Sequence, residues 1–270
     1  LLCALIGLSA LAHSVGCEPS PDGVEPPHDE LYNPLSLAAH PGGRYLFVTN
    51  AIFNREYNAS TVSVIDTFEG RILPDRAVEV GLFAGEITLT PRCGSGVASC
   101  EDSARVIGLV PSRDTGALTA LEVTLDDRGV PKIKCGQASG SSRCGGRFVQ
   151  SSLPGETTQS GPFSLSADSR GAYLTHINGG FVSRWEFTDT GDTGDADHAK
   201  SDPKPLITAR CQVRLRGAYF VTQHPITRAP LVSDLSGASL YSGELSYRDP
   251  SDASAPCDLT LAPSVALNVG

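Results

Sequence analysis

Four acids recur along this chain, each closing an apolar run: Asp66 in VSVID, Glu122 in LTALE, Glu186 in VSRWE and Glu244 in LYSGE. Carboxylates drawn from four units to one channel would repel one another or hold a cation. An acid that ends a strand more simply braces a turn. Asn50, Asn178 and His224 form a second set. Each follows an apolar run of the same kind, so together they could ring a ligand at a loop face, or each could bond its own loop. Asp189, Asp192, Asp195 and Asp197 in DTGDTGDAD supply hard oxygens at short spacing, as Ca²⁺ requires. Their spacing departs from D-x-[DN]-x-[DN]-G and no Glu closes the loop, so a solvated acidic loop is the stronger reading.

Other chemistries lack their motifs. The sequence has no G-x-S-x-G elbow, no H-E-x-x-H and no phosphate-cradling Gly-rich loop with Lys, so no catalytic residue is assigned. His40 begins the turn HPGGR where Asp168 stands in a related segment, which makes it a turn residue. His176 aligns with Val48, an interior strand position, and Trp185 reads as core. No resident cofactor is expected beyond the weak Ca²⁺ candidate.

Leu1 to Ala12 is an apolar run too short for a bilayer, which needs about 20 residues. It reads as the core of an export signal. Since the sequence holds no methionine, the expectation is that it starts inside its reading frame, with the charged n-region missing. Ala10-Leu11-Ala12 fits a signal-peptidase site, whereas Ser14-Val15-Gly16-Cys17 resembles a bacterial lipobox, and the Pro-rich acidic stretch after Cys17 favours the lipobox. The layout expected is a signal peptide over 1–16, a lipidated Cys17 with a Pro-rich tether over 17–33, and a β-domain over 34–270. Asn58-Ala59-Ser60 is chemically a glycosylation acceptor, but a bacterial lipoprotein would seldom carry a glycan there.

Six further cysteines suit an oxidising compartment. Short Gly/Ser loops suggest Cys93 with Cys100 and Cys135 with Cys144, leaving Cys211 with Cys257 by elimination. Neither C-x-x-C nor C-x-x-C-H occurs, which disfavours a structural metal or haem. A formal charge of -9 disfavours nucleic acid and anionic lipid, so membrane contact would run through the anchor alone.

The elements that must position these residues are strands. Period-2 alternation dominates, and 28 glycines and 19 prolines punctuate the sequence. LSLAAHPGGRYLFVTN (35–50) lines up without gaps on FSLSADSRGAYLTHIN (163–178), the mark of a repeat architecture. A first strand reads at Leu35–Ala39, Glu86–Thr90, Phe163–Ala167 and Cys211–Leu215. A second starts at Arg44, Ala104, Ala172 and Ala218. The third carries the repeated acids, and a fourth, outer strand starts at Arg76, Val130 and Pro205. Four strands in a meander make a propeller blade, so the fold expected is all-β, a β-propeller of four-stranded antiparallel blades with about four present. DLTLAPSVALNVG would begin a fifth.

HPGGRYLFVTN followed by STVSVIDT resembles a blade of the YVTN family of β-propeller repeats. The third unit has YLTHIN in that place and the fourth YFVTQH. The resemblance spans roughly residues 30–260 and implies about seven blades, hence a truncated seven-bladed propeller. With the export signal, Cys17, tether and Cys-bearing loops, the sequence resembles propeller lipoproteins of the Gram-negative cell envelope. This implies a periplasmic, outer-membrane or cell-surface protein that binds a protein, peptide or glycan without catalysis. The alternative is a lactonase-like or other metal-assisted hydrolase on the same scaffold.

Overall fold

The computed structural model describes residues 23–53, 56–92, 105–151, 161–188, 205–235, 239–247 and 257–266. Cys17, the Cys93/Cys100 pair and Asp189, Asp192, Asp195 and Asp197 lie outside them.

The described strands form four antiparallel sheets, the blades of a propeller. Blade 1 comprises β1 (Pro34–Ala39), β2 (Tyr45–Asn50), β3 (Ser60–Asp66), and the short β4 (Arg71–Ile72) and β5 (Val78–Val80), both paired with β3. Blade 2 comprises β6 (Thr88–Pro91), β7 (Val106–Ser112), β8 (Ala117–Leu125), β9 (Pro131–Lys134) and β10 (Val149–Ser151), the last two sharing β8. Blade 3 is the meander β11 (Pro162–Ala167), β12 (Gly171–His176), β13 (Phe181–Phe187) and β14 (Ile207–Arg214). Blade 4 is β15 (Ala218–Gln223), β16 (Pro230–Asp234), β17 (Ser239–Tyr247) and β18 (Cys257–Ala266). The first strands β1, β6, β11 and β15 touch one another in that order, so they form the inner arc.

A blade packed between two neighbours buries both faces, and its middle strands lose the polar/apolar alternation of a half-exposed sheet. Every residue of β7 is buried accordingly. One core cluster runs through blades 1–3, with Phe47, Val64, Ile107, Leu121, Leu165 and Trp185. Another lies between blades 3 and 4, with Tyr173, Val182, Val221, Val232 and Leu259.

The seams repeat one device. Ser36 Oγ accepts the Ile87 amide (3.3 Å), the Glu86 carboxylate accepts the Leu165 amide (3.3 Å), and Ser164 Oγ accepts the Val221 amide (3.2 Å). Thr49 and Thr175 hydroxyls then donate across the same seams to the Gly85 and Tyr219 carbonyls. Two disulfides reinforce the rim. Cys211–Cys257 ties β14 to β18, the outer strands of blades 3 and 4. Cys135–Cys144 closes a loop that lies along β5, where the Glu79 and Cys144 amides exchange bonds with the Ser142 and Glu79 carbonyls.

The stretch from Gly23 onward lies on blade 1. Val24 bridges to Tyr57, the Tyr32 hydroxyl donates to Thr61 Oγ1 (3.0 Å), and the Tyr32 and Tyr57 rings lie 4.8 Å apart. Burial pushes the Tyr32 phenol up to about 12. Gly23 has φ +86 and a Cβ there would stand 2.5 Å from the Tyr57 backbone, so no side chain fits.

Three expectations are corrected. The fourth unit begins one strand later than the repeat suggests, because Cys211 lies in the outer β14 of blade 3 and AYFVTQ is the first strand of blade 4. PLVSD, hidden behind the turn HPITRA, is its second. Residues 258–266 of the segment expected to begin a fifth blade lie instead in β18, blade 4's outer strand, and 267–270 fall outside the described residues. Finally, the gapless alignment fails inside its first turn. Ala39 pairs with Leu46 but Ala167 pairs with Ala172, so blade 3's turn is two residues shorter. The counterpart of Asn50 is therefore His176, not Asn178.

Candidate functional site

The strand directions give the arc two ends. The turns after each first and third strand lie at one, called the lower end here; the turns after each second strand and the blade-to-blade connections lie at the other, the upper end.

At the lower end polar residues hold the frame. His40 Nδ1 accepts the Gly42 amide (3.1 Å). Asp168 Oδ1 accepts the Arg170 and Gly171 amides (2.8 and 2.9 Å), and His224 Nδ1 accepts those of Ile226 and Thr227 (3.3 and 3.2 Å). A side chain that accepts from amides two and three residues on satisfies the turn it begins. Asp66 does the same for Phe68 and Glu69, and the Arg44 guanidinium at 2.7 Å holds its carboxyl below the usual carboxylate range. Glu186 lies 3.3 Å from Arg210 and 3.7 Å from Arg184. Glu244 is exposed on β17 and Glu122 half-buried on β8. No three His, Cys, Asp or Glu side chains gather as a metal set among the described residues. A polar cleft of about 400 Å³ opens between blades 3 and 4, lined by Asp168, Arg170, Tyr173, Arg184, Arg228 and Glu244. Its deepest cation, Arg184, lies over the Tyr173 ring at 4.7 Å and is paired with Asp168 (3.3 Å).

The structure does not bring Asn50, Asn178 and His224 together. Asn50 is fully buried and its Nδ2 donates to Thr61 Oγ1 and Ser63 Oγ, both at 2.9 Å. Asn178 is exposed on the tight β12–β13 turn at the upper end, and His224 belongs to the lower end. His176 repeats the Asn50 arrangement in blade 3: its Nε2 lies 2.7 Å from Ser183 Oγ, which also accepts the Trp185 indole N–H (2.7 Å). Its ring stacks on Phe181 at 4.0 Å, and burial pushes its pKa down to about 3. The imidazole is therefore neutral and shares one hydrogen bond with the Ser183 hydroxyl. A Ser–His pair this enclosed meets no substrate.

The upper end holds a cluster that the repeat does not explain. Phe83, in the connection from blade 1 to blade 2, has φ 52, a left-handed backbone that costs a bulky residue on the order of 1–2 kcal/mol. Its carbonyl accepts the Arg113 amide (3.3 Å). Arg113, on the β7–β8 turn, places its guanidinium carbon 5.8 Å from the Phe83 ring centre and 5.7 Å from that of Phe163, the second residue of β11. Phe163 in turn stacks on Tyr219 of β15 at 5.0 Å, with Phe220 at 5.8 Å. Phe83, Arg113, Phe163 and Tyr219 are all half-buried. These residues come from three blades and one connection, so no local motif announces them. The available signal is an aromatic, Phe83, set between two glycines in GLFAG.

No family model matches the protein, and no curated protein sequence does. Solved structures do resemble it. A 6-phosphogluconolactonase-like protein of Bacteroides uniformis is 13% identical with a TM-score of 0.50, over 85% of this protein and 56% of that one. A Lactobacillus plantarum protein is 11% identical with a TM-score of 0.51, over 92% and 60%. Hsv2p of Kluyveromyces lactis is 10% identical with a TM-score of 0.47, over 84% and 59%. The present sequence spans less than two thirds of each. What it shares with the first two is the β-propeller fold.

Proposed function

We propose that this protein is an exported propeller of the YVTN-repeat type, anchored in the Gram-negative envelope through a lipidated Cys17. It acts there, in the periplasm or at the outer membrane, as a non-enzymatic module that binds a protein, peptide or glycan. The observation that carries the binding reading is the contrast between ends. Most polar residues that recur from blade to blade are taken up by turns, seams and core bonds, whereas the half-buried Phe83–Arg113–Phe163–Tyr219 cluster sets a guanidinium between rings that no other blade repeats. Side chains held by a rigid frame at loop ends are where binding concentrates. Two disulfides, one between blades 3 and 4 and one closing a loop of blade 2, support an oxidising compartment.

Two measurements test this. Full-length protein expressed with its signal in a Gram-negative host should incorporate labelled palmitate and fractionate with membranes, and Cys17→Ser should abolish both. Arrays of envelope glycans and peptides should show ligands whose binding is lost in Phe163→Ser while the protein still melts cooperatively. Hydrolysis of lactones that requires an added divalent metal would replace the binding reading with the hydrolase one.

A further inference from the structure

We infer that Arg113 is an anion-recognition residue, and that the ligand taken at the upper end is an organic carboxylate carried on a flat or apolar body. This deepens the binding reading above and rests on it.

The inference starts from what surrounds the guanidinium. The arginines that brace the corners and outer strands have an acid close by: Arg44 has Asp66, Arg76 has Asp126, Arg184 has Asp168 and Arg210 has Glu186. Arg113 has aromatic rings instead, Phe83 and Phe163, and no carboxylate lies within salt-bridge distance among the described residues. The neighbouring Asp114 lines a cleft with Leu82 and Thr115 that Arg113 does not line. Rings over a guanidinium face stiffen it and strip water from that face, while its N–H groups stay available at the edge. Such a planar fork matches the two oxygens of a carboxylate.

Position supplies the rest. The Arg113 backbone is fixed by its amide bond to Phe83, whose left-handed conformation is a local cost tolerated for that placement. Phe163 and Tyr219 extend the surface away from the charge as a stacked apolar shelf. A ligand that spans both must carry an anion beside a ring or hydrocarbon. A bare inorganic anion would use only the fork, against a protein of formal charge -9. A neutral apolar ligand would leave the fork without a partner.

The probes are 3-phenylpropionate, its neutral amide, and acetyl-Gly-Gly-Phe as free acid and as carboxamide, titrated into the full-length protein by calorimetry. The expected result is that each acid binds at least tenfold more tightly than its amide, and that raising salt weakens the acids only. Arg113→Gln should bring the acids down to the level of the amides. Arg113→Lys, which keeps the charge but not the fork, should recover less than half of the lost binding free energy. Phe163→Ala should weaken acids and amides together. A peptide acid that binds tenfold more tightly than 3-phenylpropionate identifies the carboxy terminus of a peptide as the source; equal affinity identifies a free acid. Acid and amide bound equally, with both lost in Phe163→Ala, would overturn the anion assignment while leaving the upper end a binding face. Binding of no probe at millimolar concentration also overturns the inference, and the array experiment above then judges the binding reading independently. Wild-type affinity in Arg113→Gln folded to the same Tm is equally fatal to it.

Discussion

Blades 1 and 3 perform the same tasks with different side chains. Asn50 reaches Ser63 in blade 1, and His176 reaches Ser183 in blade 3. His40 caps the first turn of one and Asp168 that of the other. The ion pair across that corner even reverses polarity: Arg44 of the turn meets Asp66 of the third strand, whereas Asp168 of the turn meets Arg184 of the third strand. What persists is the role, a donor, an acceptor or a charge pair at a fixed place. A repeat position that accepts Asn or His, or either sign of charge, is filled for structure. The positions without a counterpart are the informative ones. Where blade 2 has Arg113 after Ser112, blades 1 and 3 continue from Asn50 and His176 with Ala51 and Ile177.

The corner of reversed polarity gives the largest expected effect. Arg184 is 2% exposed and Arg44 is 46% exposed. Removing the buried partner of an ion pair costs up to about 3–5 kcal/mol, and Arg184 also gives up its contact over the Tyr173 ring. Arg184→Ala should therefore lower Tm by on the order of 10 °C in a protein of this size. Arg44→Ala should lower it clearly less, since water reaches its side. Equal losses in thermal melts would show that the two corners carry the same load and that burial does not separate them.

The serines come next. Ser183→Ala removes the acceptor of the Trp185 indole N–H and the partner of His176 Nε2 in a dry core, at about 2–3 kcal/mol. Ser63→Ala leaves Asn50 its bond to Thr61 and should cost about 1 kcal/mol. Trp185 is the sole tryptophan, so urea titrations followed by its fluorescence measure the first directly. A Ser183→Ala loss no greater than that of Ser63→Ala would refute the bridging role.

Acid separates the blades further. Folded His176 titrates near pH 3 and the unfolded residue near 6.5. Between those values the unfolded state binds a proton that the folded state does not, so stability falls as pH drops below 6.5, by about 1.4 kcal/mol at pH 5.5. Above 6.5 this contribution is constant. His176→Asn, the choice made in blade 1, should flatten that part of the profile when urea midpoints are compared from pH 8 to 5. An unchanged slope would assign the acid sensitivity to other groups.

Much of this frame is legible in the sequence, for identifiable reasons. Third strands stand out because an apolar run ending in an acid survives any turn length, as in VSVID and VSRWE. The Cys135–Cys144 and Cys211–Cys257 pairs are accessible from loop spacing and elimination. Second strands are harder, because a two-residue difference between HPGGR and DSR keeps Tyr and Asn in apparent register while shifting every side chain. Blade 4 slips by a whole strand since AYFVTQH imitates a second strand in composition although it lies on the inner arc. Arg113, Phe83 and Phe163 are 30 to 80 residues apart in sequence, and only the closing of the seams sets them side by side.

Turn caps should register weakly. His224→Ala frees the amides of Ile226 and Thr227 on an open surface, so water replaces the ring and the loss is about 0.5–1 kcal/mol. A thermal melt suffices, and a drop approaching that of Ser183→Ala would mean that His224 supports more than its own turn.

The smallest expected effect on stability divides frame from function most sharply. Arg113 makes no ion pair among the described residues and stands half-exposed on a turn, so Arg113→Gln should change stability by less than about 0.5 kcal/mol. Its stacked rings remain to cover the seam, and its amide bond to Phe83 belongs to the backbone. If the variant melts like the parent yet no longer prefers acids to amides, the residue serves a ligand. A loss of about 2 kcal/mol or more, the range of a broken internal contact, would place Arg113 with Arg184 among the structural arginines, and the upper end would then be one more braced corner.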